Sequence, residues 1–222
     1  MYSSRLSKDY SQFREQFNPV DLFFLEQLET TAKGKDTLDI GCGNGKFLFK
    51  VESLEPGNLV GIDNSKTMID LAKEEAAARG SRSVLEVMDA KCLDFQSNTF
   101  DLIVSTFTIH HIEDLDKFFK SVNALLRSNG LFMATFNTFK LANLNLLNKQ
   151  ALLRLRSGQH TVTVSNTIRT DKQYLKAATN AGLCKITYMD IPNPVPSLSK
   201  LNEFDTKEIK KLNNIFAVFQ KL

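Results

Sequence analysis

The chain has 222 residues, 42% of them hydrophobic and 24% charged, with a formal net charge of +3. That balance belongs to a globular domain and excludes a fibrous or disordered chain. No run reaches the ~18 consecutive apolar residues of a membrane span, and no long Lys/Arg run marks a nucleic-acid surface.

The opening MYSSRLSKDYSQFREQF has no apolar core of a signal peptide, so the expected location is the cytoplasm. Cys42, Cys92 and Cys184 are dispersed and odd in number, and no CxxC occurs. With three histidines at no metal-ligand spacing, they read as free thiols in a reducing compartment, with no metal.

Apolar spacing at Phe13, Phe17, Leu22, Phe23 and Leu25 predicts an N-terminal helical segment. DTLDI (36–40) reads as a buried strand that runs into three glycines within five positions. Phe47, Leu48, Val51 and Leu54 then fall at helical spacing until the Pro–Gly of EPGN (55–58) stops them. LVGID (59–63) is a second strand, and Ser65 and Gly80 bound the next helix. SVLEVM (83–88) and FDLIVST (100–106) are the third and fourth strands.

Asp114 caps a helix whose apolar face is Leu115, Phe118, Phe119, Val122, Leu125 and Leu126. SNG (128–130) ends it, and LFMATF (131–136) is the fifth strand. Thr170 or Asp171 opens another helix, closed by Gly182. LCKITYM (183–189) and NIFAVFQK (214–221) are the last two strands, and a short helix is expected over 205–212, behind the proline stretch IPNPVPS (191–197).

Strand–helix alternation at this rhythm predicts an α/β fold, a mostly parallel sheet with helices on both faces. The expected organisation is one domain over 1–222. An N-terminal helical cap takes 1–33 and a cofactor-binding core 34–136. An insert over 137–169 serves as a lid, and 170–222 hold the last helix and two strands. The Leu-rich stretch after the fifth strand, with Phe132, Phe136 and Phe139, offers material for an apolar acceptor pocket.

A strand, glycine turn and helix present backbone N–H groups and a helix N-terminus at the strand's carboxyl end. A P-loop is excluded because Ile40 stands where GxxxxGK needs glycine and Phe47 where Ser or Thr would hold magnesium. A dinucleotide fingerprint, GxGxxG, fits less well because the third glycine, Gly45, falls one residue early.

LDIGCGNGKF (38–47) resembles the first motif of the class I S-adenosylmethionine-dependent methyltransferase superfamily. GIDNS (61–65), VMDAKCLDF (87–95), FDLIVSTFTIHHI (100–112) and LLRSNGLFMATF (125–136) resemble its next four motifs, in order and at matching spacing. The resemblance covers 37–136 and extends more weakly to the C-terminus. It implies a seven-stranded Rossmann-like sheet of order 3-2-1-4-5-7-6, the seventh strand antiparallel. It implies S-adenosylmethionine as methyl donor and S-adenosylhomocysteine as product.

The site residues follow from the same resemblance. Gly41, Gly43 and Gly45 let the main chain approach the methionine moiety, with Cys42 between them carrying no chemistry of its own. Asp39 accepts from the ligand ammonium, and Asp63 from both ribose hydroxyls. Asn64 and Met68 flank the adenine, while Asp89 and the Ala90 N–H meet its edge. Ser105 on the fourth strand completes the cofactor set, and Tyr10 and Arg14 of the N-terminal segment fold over it.

His110 and His111 stand on the acceptor side as candidate general bases, with the choice between them open. The motif-four residues STFT lack the proline signature of base amino-methylation, which argues against a nucleic-acid acceptor. The expected acceptor is a small molecule. A peptide or protein acceptor and a non-catalytic cofactor-binding module stay as alternatives, and a monomer or homodimer is expected.

Overall fold

The structure is a computed structural model that describes residues 19–141, 144–157, 160–191 and 209–222. Helix α1 (Pro19–Glu29) leads into β1 (Thr37–Ile40), α2 (Lys46–Glu52), β2 (Leu59–Asp63), α3 (Lys66–Arg79) and β3 (Val84–Val87). Then come β4 (Phe100–Thr106), α4 (Leu115–Leu125) and β5 (Leu126–Leu141). The hairpin strands β6 (Gln150–Ser157) and β7 (His160–Thr167) precede α5 (Asp171–Asn180), β8 (Leu183–Ile191) and β9 (Ile209–Lys221).

Seven strands form one sheet in the order β3-β2-β1-β4-β5-β9-β8. Its first five strands are parallel, and β9 runs antiparallel to both β5 and β8. This is the expected 3-2-1-4-5-7-6 order once the two hairpin strands are left out of the count. The central strands are apolar because both faces are covered. On one face, Phe24 of α1, Leu48 of α2 and Ile69 and Ala72 of α3 pack against Leu102, Val104 and Met133. On the other, Phe118 and Phe119 of α4 and Tyr174 of α5 pack against Ile103, Phe132 and Phe136.

Local chemistry sets the helix starts. Ser65 and Asp114 accept from backbone N–H groups of the first turns of α3 and α4. Thr170 and Gln173 form a reciprocal capping box at α5. Each such cap is worth about 1 kcal/mol.

The structure corrects one expectation and adds detail to two. Residues 209–212 are strand, not the end of a short helix, because β9 pairs with the extended β5 as far as Leu141↔Ile209. Ladder pairing to an existing edge outweighs a weak helical spacing; residues 205–208 lie outside the described residues. The insert after the fifth strand is not merely a Leu-rich loop. It contains a separate two-stranded antiparallel sheet, registered from Gln150↔Thr167 to Ser157↔His160. Phe132, Phe136 and Phe139 are all buried, the first two in the core against α4 and α5.

The amino ends of β1 and β4 are tied by charge. Arg127 donates to Asp36 at 2.8 Å and to Asp101 at 2.7 Å. Asp101 also accepts the Asp36 N–H, and Asp36 accepts both the N–H and the side-chain amide of Asn58. These bonds hold the Asp36 carboxyl below its usual range, the Asn58 N–H first and Arg127 next.

Candidate active site

The site lies at the opposite, carboxyl end of the strands, where α/β sheets bind ligands. The glycine turn between β1 and α2 needs its glycines for different reasons. Gly41 has φ +79°, and a Cβ there would stand 2.1 Å from the Thr108 hydroxyl. Gly45 has φ +81° and faces the Phe49 ring. Gly43 has φ +57° and faces open space among the described residues. Two glycines therefore serve packing and the third leaves room above the turn.

Thr108 reaches Gly41 because the chain bends sharply after β4. Phe107 adopts φ +51°, a conformation that costs an L-residue about 1–2 kcal/mol. Its N–H donates to Thr135 O at 2.8 Å, which fixes the bend on β5.

Asp39 sits on β1 just before the turn. It is completely buried, and among the described residues neither carboxylate oxygen has a hydrogen-bond partner. Burial, with the Asp63 charge adding to it, pushes its carboxyl up to about 8. A buried anion without a partner is expensive, and neutralisation by a proton or by a bound cation relieves the cost.

Asp63, at the end of β2, is engaged on the turn itself. Oδ2 accepts the Gly43 N–H at 3.1 Å and Oδ1 the Ser65 N–H at 2.8 Å. Burial raises its pKa, against the pull of those two N–H groups. Each carboxylate oxygen keeps acceptor capacity for one further donor. Asn64 is exposed beside it, and Met68 is buried on α3. Asp89 is exposed and accepts the Lys91 N–H at 2.9 Å, with Ala90 half-buried next to it.

Two of the named residues turn their side chains into the protein interior. The Cys42 side chain packs into the core with Leu48, in room left by the missing side chain of Gly61, and burial raises its thiol pKa. Ser105 is buried and donates to Ile40 O at 2.9 Å, tying β4 to β1. Tyr10 and Arg14 lie outside the described residues.

The histidine pair occupies a short 3-10 turn, Ile109–His111, with ring centroids 4.2 Å apart. The Asn137 N–H donates to His110 Nδ1 at 3.4 Å. His111 Nδ1 lies 2.7 Å from Ser165 O. A carbonyl only accepts, so Nδ1 carries the His111 proton and Nε2 is the basic nitrogen of the neutral ring. Burial lowers the pKa of both rings, that of His110 much further. Both are therefore neutral at pH 7, and their geometry gives them different valences: His110 donates through Nε2, His111 accepts there.

The hairpin brings residues to this corner that the motifs did not indicate. Asn166 donates to Asn137 Oδ1 at 3.0 Å, and Asn137 donates to Asn214 Oδ1 at 2.9 Å. All three are buried, and Asn166 Oδ1 has no partner. The available signal was compositional: asparagines at the ends of strands otherwise made of apolar and β-branched residues. Arg169, two residues past β7, is buried as well.

Comparison with known proteins agrees with the fold and the motif order. The profile of the methyltransferase-domain family matches residues 31–216. Over 121 residues the chain is 33% identical to a ubiquinone biosynthesis O-methyltransferase of Coxiella burnetii, covering 54% of this chain and 51% of that protein. The match thus spans about half the length of that curated relative. Among solved structures, the PH0226 protein of Pyrococcus horikoshii superposes with a TM-score of 0.68 at 22% identity, over 95% of this chain and 93% of that one. A phosphoethanolamine N-methyltransferase 2 of Haemonchus contortus, solved with S-adenosyl-L-methionine, gives 0.72 at 18% identity over 99% of this chain and 57% of that one. With the family profile covering most of its length and the sheet order of the class I fold, the chain belongs to the methyltransferase-domain family.

Proposed function

We propose that this protein transfers a methyl group from S-adenosylmethionine to a small-molecule acceptor by in-line displacement. The observation that carries the reading is Asp39: a fully buried carboxylate with no partner, beside a glycine turn whose middle residue faces open space. That is the complement of a cationic ligand laid against backbone. S-adenosylmethionine, when bound, supplies a methyl group on a sulfonium together with an ammonium cation.

The chain's own residues then have distinct tasks. Asp39 takes the ammonium and loses its proton. Asp63 accepts from the ribose hydroxyls with the valences left over from the Gly43 and Ser65 N–H groups. Asn64 and Met68 border the adenine, and Asp89 and the Ala90 N–H meet its edge. The insert over 137–169 covers the acceptor side as a lid, with β6 and β7 as its rigid part. His111 takes the acceptor's proton at Nε2, and His110 holds its place through the β5 backbone. Orientation supplies much of the acceleration of such a displacement, and a base matters where the acceptor loses a proton near the transition state.

The test is transfer of labelled methyl from S-adenosylmethionine into a host lysate separated into small-molecule, protein and nucleic-acid pools. Label in the small-molecule pool is the expected result. Label confined to protein or nucleic acid would overturn the acceptor class. Cofactor binding without transfer to any pool would overturn the catalytic reading.

A further inference from the structure

Arg169 lies one short step from the histidine pair. Past the end of β4, the edge of β5 that faced it still offers N–H groups at alternate residues. The Asn137 N–H goes to the His110 ring and the Phe139 N–H goes to Arg169 O at 2.8 Å. Two residues of strand separate those points by about 7 Å. The guanidinium then turns back toward the histidines: Nη2 donates to Glu113 O at 2.7 Å, two residues beyond His111.

Arg169 is only 3% exposed, and among the described residues its Nη1 has no hydrogen-bond partner. Arginine stays charged in any protein environment, so it cannot shed the cost of burial by losing a proton as Asp39 can. No carboxylate among the described residues forms an ion pair with it. Glu113 turns its own side chain to Lys91 at 3.5 Å, and Asp171, two residues along the chain, makes no ion pair with Arg169. The Tyr174 ring centroid lies 6.0 Å from the guanidinium carbon. Burial raises the Tyr174 phenol to about 12, against the downward pull of the nearby guanidinium, and the neutral phenol does not neutralise the charge. One bond to a carbonyl does not require an arginine. A planar, permanently charged fork with an N–H to spare suits an anion.

We propose that Arg169 is an anion subsite of the acceptor pocket, and that the methyl acceptor carries a carboxylate or a phosphate which Arg169 holds beside His110 and His111. This rests on the methyltransferase reading above. The His110 Nε2–H is the second donor near the anion, and the orphaned Asn166 Oδ1 meets a donor on the acceptor's neutral part. The guanidinium's charge adds to the downward shift of the His110 pKa, in keeping with their closeness. The inference makes Arg169 a specificity residue for an acidic acceptor, not a base.

The experiment uses the full chain saturated with S-adenosylhomocysteine, titrated calorimetrically with benzoate, phenyl phosphate and, as a neutral control, benzyl alcohol. Expected is one-site binding of at least one anion, with the stronger anion identifying carboxylate or phosphate as the group recognised. Arg169→Met should weaken that anion about 10- to 100-fold, the loss of a charge-assisted bond, and leave benzyl alcohol and S-adenosylhomocysteine unchanged. Arg169→Lys, which keeps the charge and loses the fork, should fall between, and it carries the test if the methionine variant does not fold. Failure of both anions to bind the wild-type complex would overturn the proposal. So would equal anion affinity in wild type and variants, or a loss in the variants confined to S-adenosylhomocysteine, which would assign Arg169 to the cofactor's own carboxylate. Absence of S-adenosylhomocysteine binding to the wild type would instead overturn the methyltransferase reading itself.

Discussion

The two ends of the one parallel sheet treat buried and half-buried polar groups in opposite ways. At the amino end, Asp36, Asp101, Arg127 and Asn58 satisfy one another in a closed network. At the carboxyl end, the Asp39 carboxylate, Arg169 Nη1 and Asn166 Oδ1 are buried without partners. Folding alone explains the first arrangement, since every charge there gains a contact. It does not explain the second, where unpaired groups cost stability. Neutral atoms without partners also occur elsewhere, Asn123 Oδ1 on α4 among them, so it is the buried charge of Asp39 and Arg169, more than a missing bond, that points to a ligand at the carboxyl end.

The sharpest separation of the two ends is kinetic. His111→Ala should lower the methyl-transfer rate by about 10²–10⁴-fold, the usual contribution of a general base, with cofactor affinity unchanged. Because burial holds the His111 pKa below the ordinary histidine value, the wild-type rate should begin to fall at a lower pH than an unperturbed imidazole would dictate. A rate that halves near pH 6.5 would place the titrating group elsewhere.

Next in size is the loss of cofactor binding at the carboxyl end. Asp63→Ala removes the proposed ribose acceptors and should cost about 1.5–3 kcal/mol of S-adenosylmethionine affinity, read by calorimetry. Gly43→Ala and Gly41→Ala divide the glycine turn. The first places a methyl where the described residues leave open space, at a strain cost of about 1–2 kcal/mol from its positive φ, and should reduce affinity beyond that loss of stability. The second drives a methyl into Thr108 and should chiefly lower the melting temperature.

The smallest effect belongs to the amino end. Arg127 is 40% exposed on its side chain, so Arg127→Ala should destabilise the fold by only about 1 kcal/mol in urea. Cofactor binding should not change, because the network lies at the far end of the strands. A variant that lost affinity would show the two ends to be coupled.

Much of this molecule was legible before any coordinates. Every core strand was readable because a doubly covered parallel sheet demands apolar strands separated by capped helices, and Ser65, Asp114 and Thr170 announce their caps; the strand order and the antiparallel seventh strand came with the family resemblance. The glycine turn was legible because three glycines within five positions after a strand leave a local spacing, whereas the roles expected of Asp39 and Asp63 came with the family resemblance. The hairpin was missed although QALLRLRS and HTVTVSNT alternate with period two, because leucine abundance drew attention to bulk hydrophobicity. Asn137, Asn166, Asn214 and Arg169 were missed for a different reason. They meet only through β5–β9 and β7 pairing across distant parts of the chain, and no local pattern encodes that meeting.

Asp39 gives the comparison its sign in pH. Its folded-state pKa of about 8 lies far above the ordinary value of 3.8. The folded protein therefore binds more protons than the unfolded chain between those values, and stability falls as pH rises through that window. Asp39→Asn should remove that slope and raise the melting temperature at pH 8, measured across pH 4–9.

The most direct test is the proton count on cofactor binding. S-adenosylmethionine is titrated calorimetrically into wild type and Asp39→Asn near pH 7, in two buffers of different ionisation enthalpy. The expected result is release of close to one proton by the wild type, as the bound cation ionises Asp39, with weaker binding and no such release in the variant. Equal proton release and equal affinity in both proteins would contradict the account, and would show that the unpaired carboxylate at the carboxyl end of the sheet is not waiting for a cation.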